Sequence, residues 1–149
     1  MGITHAFTNP KEDGGDTTVV RPSNWNAEHV MASTISVVFD GGASAITGNP
    51  EVDVTVPAAG TITGYTLLAD AAGGAVIDIW NDTYANFPPT NDDTITAAAP
   101  PTLTAAAKAT DTTLTGWDKT LAAGDILRFH LDSSSTVKRL ELTLTYTRS

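Results

Sequence analysis

The sequence contains no cysteine, and this excludes disulfide bonds, thiolate metal sites and thiol nucleophiles. Basic residues are scarce as well: 8 Lys and Arg stand against 17 Asp and Glu, for a formal net charge of -9. A nucleic-acid-binding face needs clustered Lys and Arg, so the composition predicts no nucleic-acid partner. Acidity of this kind is typical of a solvated surface that keeps a protein soluble.

Long apolar runs are absent too. No segment approaches the roughly 18 apolar residues of a membrane-spanning helix, so we expect no membrane insertion. The N-terminus lacks the basic region and apolar core of a secretory signal, so we expect synthesis in the cytoplasm without a signal peptide. Glu, Lys and Gln are few, whereas Thr, Ala, Val and Gly dominate, a balance that favours strands and turns.

Alternation of apolar and polar residues is the main pattern from Thr34 onward. The segment EVDVTV at residues 51–56 places valines on one face and polar side chains on the other, as in an antiparallel sheet with one face buried and one face exposed to solvent. Similar alternation predicts three further sets of inward-facing residues: Ile35, Val37 and Phe39; Leu127, Phe129 and Leu131; Leu140, Leu142, Leu144 and Tyr146. Val137 has the wrong parity for the last set, which predicts a bulge near Lys138.

Residues 62–89 form the centre of the predicted fold. They are expected to make a hairpin of strands 62–70 and 75–82, because Gly73-Gly74 can adopt the positive φ of a tight turn. Residues 90–111 contain Pro100-Pro101, which forbids a continuous helix. They predict a short strand near 94–97 and then an extended crossing at the sheet edge. The sequence therefore predicts an all-β fold, an antiparallel jelly-roll-like β-sandwich of seven or eight strands over residues 32–149.

Residues 1–31 differ from the rest and are predicted to be an extended N-terminal arm. No periodicity persists there, and the large side chains Phe7 and Trp25 stand in polar surroundings. Such a segment buries too little surface to offset its ordering entropy alone. Two interpretations remain open: the arm folds over its own domain, or it docks on another protein with Phe7, Arg21 and Trp25 as anchors.

No catalytic constellation is evident, so we expect no enzymatic activity and no cofactor. The carboxylate pairs Asp78 with Asp82 and Asp92 with Asp93 would suit glycoside hydrolysis or calcium. Turns favour Asp for its local hydrogen bonds, however, so we predict no metal site. No two of the three histidines have the spacing of a metal-binding pair. These histidines are His5, His29 and His130.

Aromatic residues near the centre of the chain are the better candidates for a binding site. Rings flanked by Asn and Asp suit sugar recognition, because a ring stacks on a pyranose while polar groups bind its hydroxyls. Tyr and Trp are also enriched at protein interfaces, which favours a subunit contact, and ordinary packing of the rings on neighbouring loops is the other alternative. The residues predicted to contact a glycan or a protein partner are Trp80, Asp82, Tyr84, Phe87 and Trp117.

Three segments carry a resemblance to a known family. The opening HAFTNPKEDGGDTTVVRPSNWNAEHV resembles the N-termini of small structural or fibre-type virion proteins of tailed bacteriophages. The segments GYTLLADAAGGAVIDIWNDTYANFPP and AAGDILRFHLDSSSTVKRLELTLTYTR are similar to the β-sandwich domain that follows in such proteins. The resemblance implies a virion-surface protein, commonly a homotrimer, whose N-terminal segment attaches to the particle while the sandwich projects.

The resemblance further implies a partner among the other virion proteins, either the major capsid protein or a fibre or tail protein. The chain is short for a complete tail fibre and has no coiled-coil heptads or repeats that would form a shaft. These departures favour a compact head fibre or capsid decoration protein, made in the host cytoplasm and located on the virion surface. The alternative is a tail-fibre or receptor-binding module that recognises host surface glycan.

Overall fold

A computed structural model describes residues 30–149 together with Gly14, Gly15, Arg21 and Ser23. The predicted anchor residues Phe7 and Trp25, and with them most of the predicted arm, lie outside the described residues. The described part of the chain contains seven strands: β1 Ala32–Asp40, β2 Glu51–Thr55, β3 Gly60–Asp82, β4 Thr102–Asp111, β5 Thr120–Leu121, β6 Ile126–Ser135 and β7 Arg139–Arg148. Two short 3-10 helices, Tyr84–Asn86 and Asn91–Asp93, lie between β3 and β4.

All strand pairs are antiparallel, and β3 and β4 each contribute to two layers. In the first layer the order is β1, β7, the first half of β3 and the second half of β4. In the second layer it is β2, β6, the second half of β3 and the first half of β4. The seven strands form one continuous sheet, and counting these halves separately, without the two-residue β5 that pairs with the start of β3, gives two four-stranded layers, the arrangement of a jelly roll. The predicted all-β antiparallel sandwich is confirmed, and its seven strands agree with the predicted seven or eight.

The predicted hairpin at residues 71–74 is wrong. β3 is one continuous strand from Gly60 to Asp82 whose two halves pair with β7 and β6 and not with each other, and Gly73 and Gly74 are not among the glycines with positive φ. A Cβ atom on Gly73 would instead overlap the carbonyl oxygen of Ser135 and come within 2.7 Å of Cγ2 of Val137. Glycine is required here because two backbones approach closely where β3 passes from one layer to the other.

Two smaller predictions also need correction. The strand expected near residues 94–97 is reduced to a single bridge between Trp80 and Thr94, whereas the extended edge crossing is the ten-residue strand β4. The bulge expected near Lys138 occurs earlier, where the pair Val76–Ser133 is followed by Ile77–Leu131. Val137 is buried in the turn between β6 and β7, so the turn rather than a bulge changes the parity.

The core lies between the two layers and consists of the alternating residues that the sequence predicts. All ten inward residues predicted from β1, β6 and β7 are buried. Val52 and Val54 of the edge strand β2 are only partly buried against them. Each fully buried large apolar side chain stabilises the fold by about 1.5–3 kcal/mol, so this core is the main source of stability.

Candidate functional site

The outer face of the second layer carries two rows of polar and aromatic side chains. Strand register places Arg128 between Asp53 and Trp80. Its guanidinium binds both carboxylate oxygens of Asp53, with Nε–Oδ1 at 2.7 Å and Nη2–Oδ2 at 2.8 Å, and Nη1 lies 2.9 Å from Oε2 of Glu51. Hydrogen bonding to Asp53 raises the pKa of Arg128 despite partial desolvation. The guanidinium is therefore charged and held in a fixed position.

Trp80 belongs to the neighbouring part of this face, but it is buried, with 8% of its surface exposed. Its ring stacks on His130 at a centroid distance of 4.7 Å, and its Nε1 donates to Oδ2 of Asp78 at 2.7 Å. Asp78 Oδ1 also accepts from the hydroxyls of Thr94, at 2.7 Å, and of Thr96. These hydrogen bonds hold the segment after residue 93 against the sheet, where it covers Trp80. Trp80 therefore packs inside the protein and does not form a contact surface.

Trp117 is also buried, at 7% exposure, against other neighbours. Its ring stacks on Tyr65 with a centroid distance of 5.8 Å, and its Nε1 donates to the carbonyl of Ala99 at 2.9 Å. Burial, with a smaller contribution from Asp111, raises the pKa of the Tyr65 hydroxyl. The structure therefore does not bring Trp117 together with the predicted surface rings.

Tyr84 and Phe87 form an exposed pair that we call the ring ledge. They are 78% and 52% exposed, although both are large and apolar or amphipathic. Their loop is held from below by Asp82, whose Oδ1 accepts from the backbone N–H of Thr83 at 2.6 Å and from Nδ2 of Asn86 at 3.1 Å. Asp82 thus positions the ring ledge rather than facing outward beside it.

The ring ledge borders a depression of about 280 Å³. On the protein side, Arg128 Cζ lies 5.7 Å from the centroid of Phe87, within the range of a cation–π contact. The floor and walls combine apolar and polar groups from two strands with the two rings: Asp53, Val54, Thr55, Tyr84, Phe87 and Ile126. The contributions of β2 and β6 to the depression could not be predicted from the sequence, because the register between strands cannot be derived from one segment.

The depression lies at the end of the sandwich where residues 1–30 join it. The carbonyl of Met31 accepts from the N–H of Arg148 at 3.0 Å, and the N–H of Ser149 donates to the carbonyl of Ala59 at 3.1 Å. Ala59 lies four positions after Thr55, which lines the depression, and four residue steps span at most about 14 Å. We call this end of the sandwich the arm end.

Exposed large hydrophobic side chains are concentrated at the arm end. Five are found in the described part of the chain, and Val30, Tyr84 and Phe87 are three of them. Val30 is 73% exposed directly before β1. The other two, Val38 and Leu68, flank Glu141 on the outer face of the first layer.

No group of three or more His, Asp or Glu side chains among residues 30–149 is arranged to hold a metal ion. None of the helices described has the length and apolar character that crossing a bilayer requires. Of the predicted anchors only Arg21 is described, and it is partly buried.

No protein-family model matches the sequence, and no curated protein matches it significantly. Among solved structures, a chain of the cyanophage Pam1 capsid asymmetric unit is 16% identical with a TM-score of 0.33, over 95% of this chain and 100% of that one. A chain of infectious bursal disease virus, strain Gx, is 12% identical with a TM-score of 0.23, over 98% of this chain and 46% of that one. With TM-scores below 0.5, neither likeness carries a conclusion about function.

Proposed function

We propose that this chain is a structural protein of a bacteriophage virion, a head-surface fibre or decoration protein. Residues 1–31 attach to the particle, and the sandwich of residues 32–149 projects from it. The observation that supports the proposal is that the described strands build a hydrophobic core of their own. The described core is built from the strands after residue 31, and the preceding segment joins at one end through the edge strand β1.

The partner in this proposal is another virion protein, the major capsid protein or a fibre or tail protein. Phe7, Arg21 and Trp25 are the proposed anchors, because large rings and guanidinium groups supply most of the binding energy at protein interfaces. We propose that three copies associate on the particle, as the sequence resemblance implies. Sedimentation equilibrium of the full chain tests this stoichiometry, with a mass of one or two copies contradicting it.

Deletion of residues 1–31 tests the attachment. The probe is a particle from a phage in which the gene is deleted, to which purified protein is added before pelleting. We expect the shortened chain to keep its β-sheet circular dichroism and its cooperative unfolding, yet to remain in the supernatant. A folded, shortened chain that pellets as well as the full chain would overturn the proposed attachment.

A second candidate is recognition of host surface glycan, favoured by one observation. Two exposed rings border a depression into which Asp53 and Thr55 place polar groups. Rings stack on the apolar face of a sugar, and carboxylate or hydroxyl groups bind its hydroxyls. A glycan array probed with the intact protein tests this candidate, and binding abolished by Tyr84→Ala would support it.

A further inference from the structure

We infer that the ring ledge is a second contact with the protein that holds residues 1–31, and not a site for host glycan. This inference rests on the attachment proposed above. The occupant is a protein surface that offers an apolar side chain to the depression and basic side chains around it. The inference follows from the position of the rings, their rigidity and the charge beside them.

The position of the ring ledge is the first reason. Thr55 lies at most about 14 Å along the chain from Ala59, which binds the C-terminal residue beside the arm junction. A partner protein that binds the residues just before Met31 therefore also contacts this end of the sandwich. Tethering two surfaces so closely gives a high effective concentration, so a modest second contact adds substantially to the overall affinity. A receptor site on a projecting protein would lie at the opposite end.

Rigidity is the second reason. The loop carrying the rings is fastened by the two hydrogen bonds to Asp82, and the Phe87 ring rests beside the Arg128 guanidinium. Arg128 is itself fixed by its paired bonds to Asp53. Exposed aromatic side chains that are held in place lose little entropy on binding, which is how rigid rings act as anchors at protein interfaces.

The chemistry around the depression specifies the occupant. Val54 and Ile126 line it beside the rings, so an apolar side chain inserted into the depression would contact apolar surface. Arg128 is shared between two carboxylates, Glu51 and Asp53, so these three side chains together carry a net negative charge. That charge complements Lys or Arg on the partner.

The test compares three full-length double variants in the particle-binding assay. Tyr84→Ala with Phe87→Ala removes the ring ledge, and Phe7→Ala with Trp25→Ala weakens the arm. Val38→Ala with Leu68→Ala is the matched control, since it truncates the other exposed hydrophobic pair. We expect the ring-ledge variant to lose about 30-fold in affinity for the particles, the loss typical of interfacial aromatic anchors, while the control keeps the affinity of the wild type.

The outcomes separate the inference from the function on which it rests. Wild-type affinity of the ring-ledge variant, together with a loss in the arm variant, would overturn the inference and support the proposed attachment. Wild-type affinity of both variants would overturn both. Full particle binding by the ring-ledge variant, with loss of binding to neutral hexose glycans on an array, would overturn the inference in favour of glycan recognition. Unchanged thermal unfolding of the ring-ledge variant shows that any loss is a loss of contact.

Discussion

Gly73 of β3 packs directly against the backbone of Ser135 at the end of β6. A Cβ atom at Gly73 would overlap the Ser135 carbonyl oxygen and lie 2.6 Å from Oγ1 of Thr136. The close approach occurs where β3 passes from the first layer, paired with β7, to the second layer, paired with β6. The contact therefore joins the two layers of the sandwich at their shared strand.

Gly73→Ala is expected to destabilise the sandwich because backbone atoms cannot move aside as a flexible side chain can. The expected loss is about 1–3 kcal/mol in the free energy of unfolding, measured by urea denaturation. Gly74→Ala is the control, because its nearest contact is a side-chain atom, Oγ of Ser135, at 3.0 Å, and its loss should be smaller. Equal stability of the Gly73 variant and the wild type would contradict the close packing.

Asp78→Ala is expected to release the segment that covers Trp80. The substitution leaves the Trp80 Nε1–H and the Thr94 hydroxyl without their shared acceptor. Loss of hydrogen bonds to a buried charged group costs about 2–3 kcal/mol, which urea denaturation would detect. Asp78→Asn, which keeps one oxygen acceptor, should lose less. Hydrogen exchange across residues 94–101 should also accelerate, and unchanged exchange would show that Asp78 does not hold the segment.

Asp70 is expected to make stability depend on acid pH. Its Oδ1 accepts from the N–H groups of Lys138, at 2.9 Å, and of Arg139, at 3.0 Å, and these bonds lower the pKa of Asp70. A carboxyl with a lowered folded-state pKa stabilises the protein above its unfolded pKa of about 3.9. That contribution is lost as the pH falls through the lower, folded-state value.

Thermal unfolding of wild type and Asp70→Asn across the acid range measures this effect. The wild type should be the more stable protein at pH 7, and the two melting temperatures should converge as the pH falls below about 4. A constant difference down to the acid limit would contradict the role of the Asp70 carboxylate in this turn.

The four predicted aromatic contacts should separate into two classes by their effect on stability. Trp80→Ala and Trp117→Ala remove buried rings and should each cost about 3–5 kcal/mol. Tyr84→Ala should change the free energy of unfolding by less than about 0.5 kcal/mol, and Phe87→Ala, which also loses the contact with Arg128, by about 1 kcal/mol or less. A large loss on truncating Tyr84 or Phe87 would contradict the ring ledge as a free surface.

The faces of the strands could be predicted from the sequence, whereas their connections could not. Alternation places Phe129 and Leu142 inward because side chains on a strand point alternately to opposite faces. Gly73-Gly74 misled the prediction, because glycine serves a turn and a close backbone approach equally well. Only the position of Ser135, distant in the sequence, decides between these roles.

The candidate site was predicted in part, for a related reason. Tyr84 and Phe87 are exposed as expected, since they lie in a loop bounded by turn residues. Alternation with the inward residues of β3 puts Trp80 on the outer face, and the segment after residue 93 packs over it there, as the alternative of loop packing predicts. The pairing of Asp78 with Thr94 and Thr96 is a long-range contact, and one strand read alone contains no sign of it.

Electron cryomicroscopy of purified virions tests the central claim, that this chain is a virion-surface protein held at its arm end, most directly. We predict density for the sandwich on the outside of the head, with Val30, Tyr84 and Phe87 turned toward the underlying shell. Infectious virions whose density shows no copy of the chain would contradict the claim. A sandwich whose arm end points outward into solvent would contradict it as well.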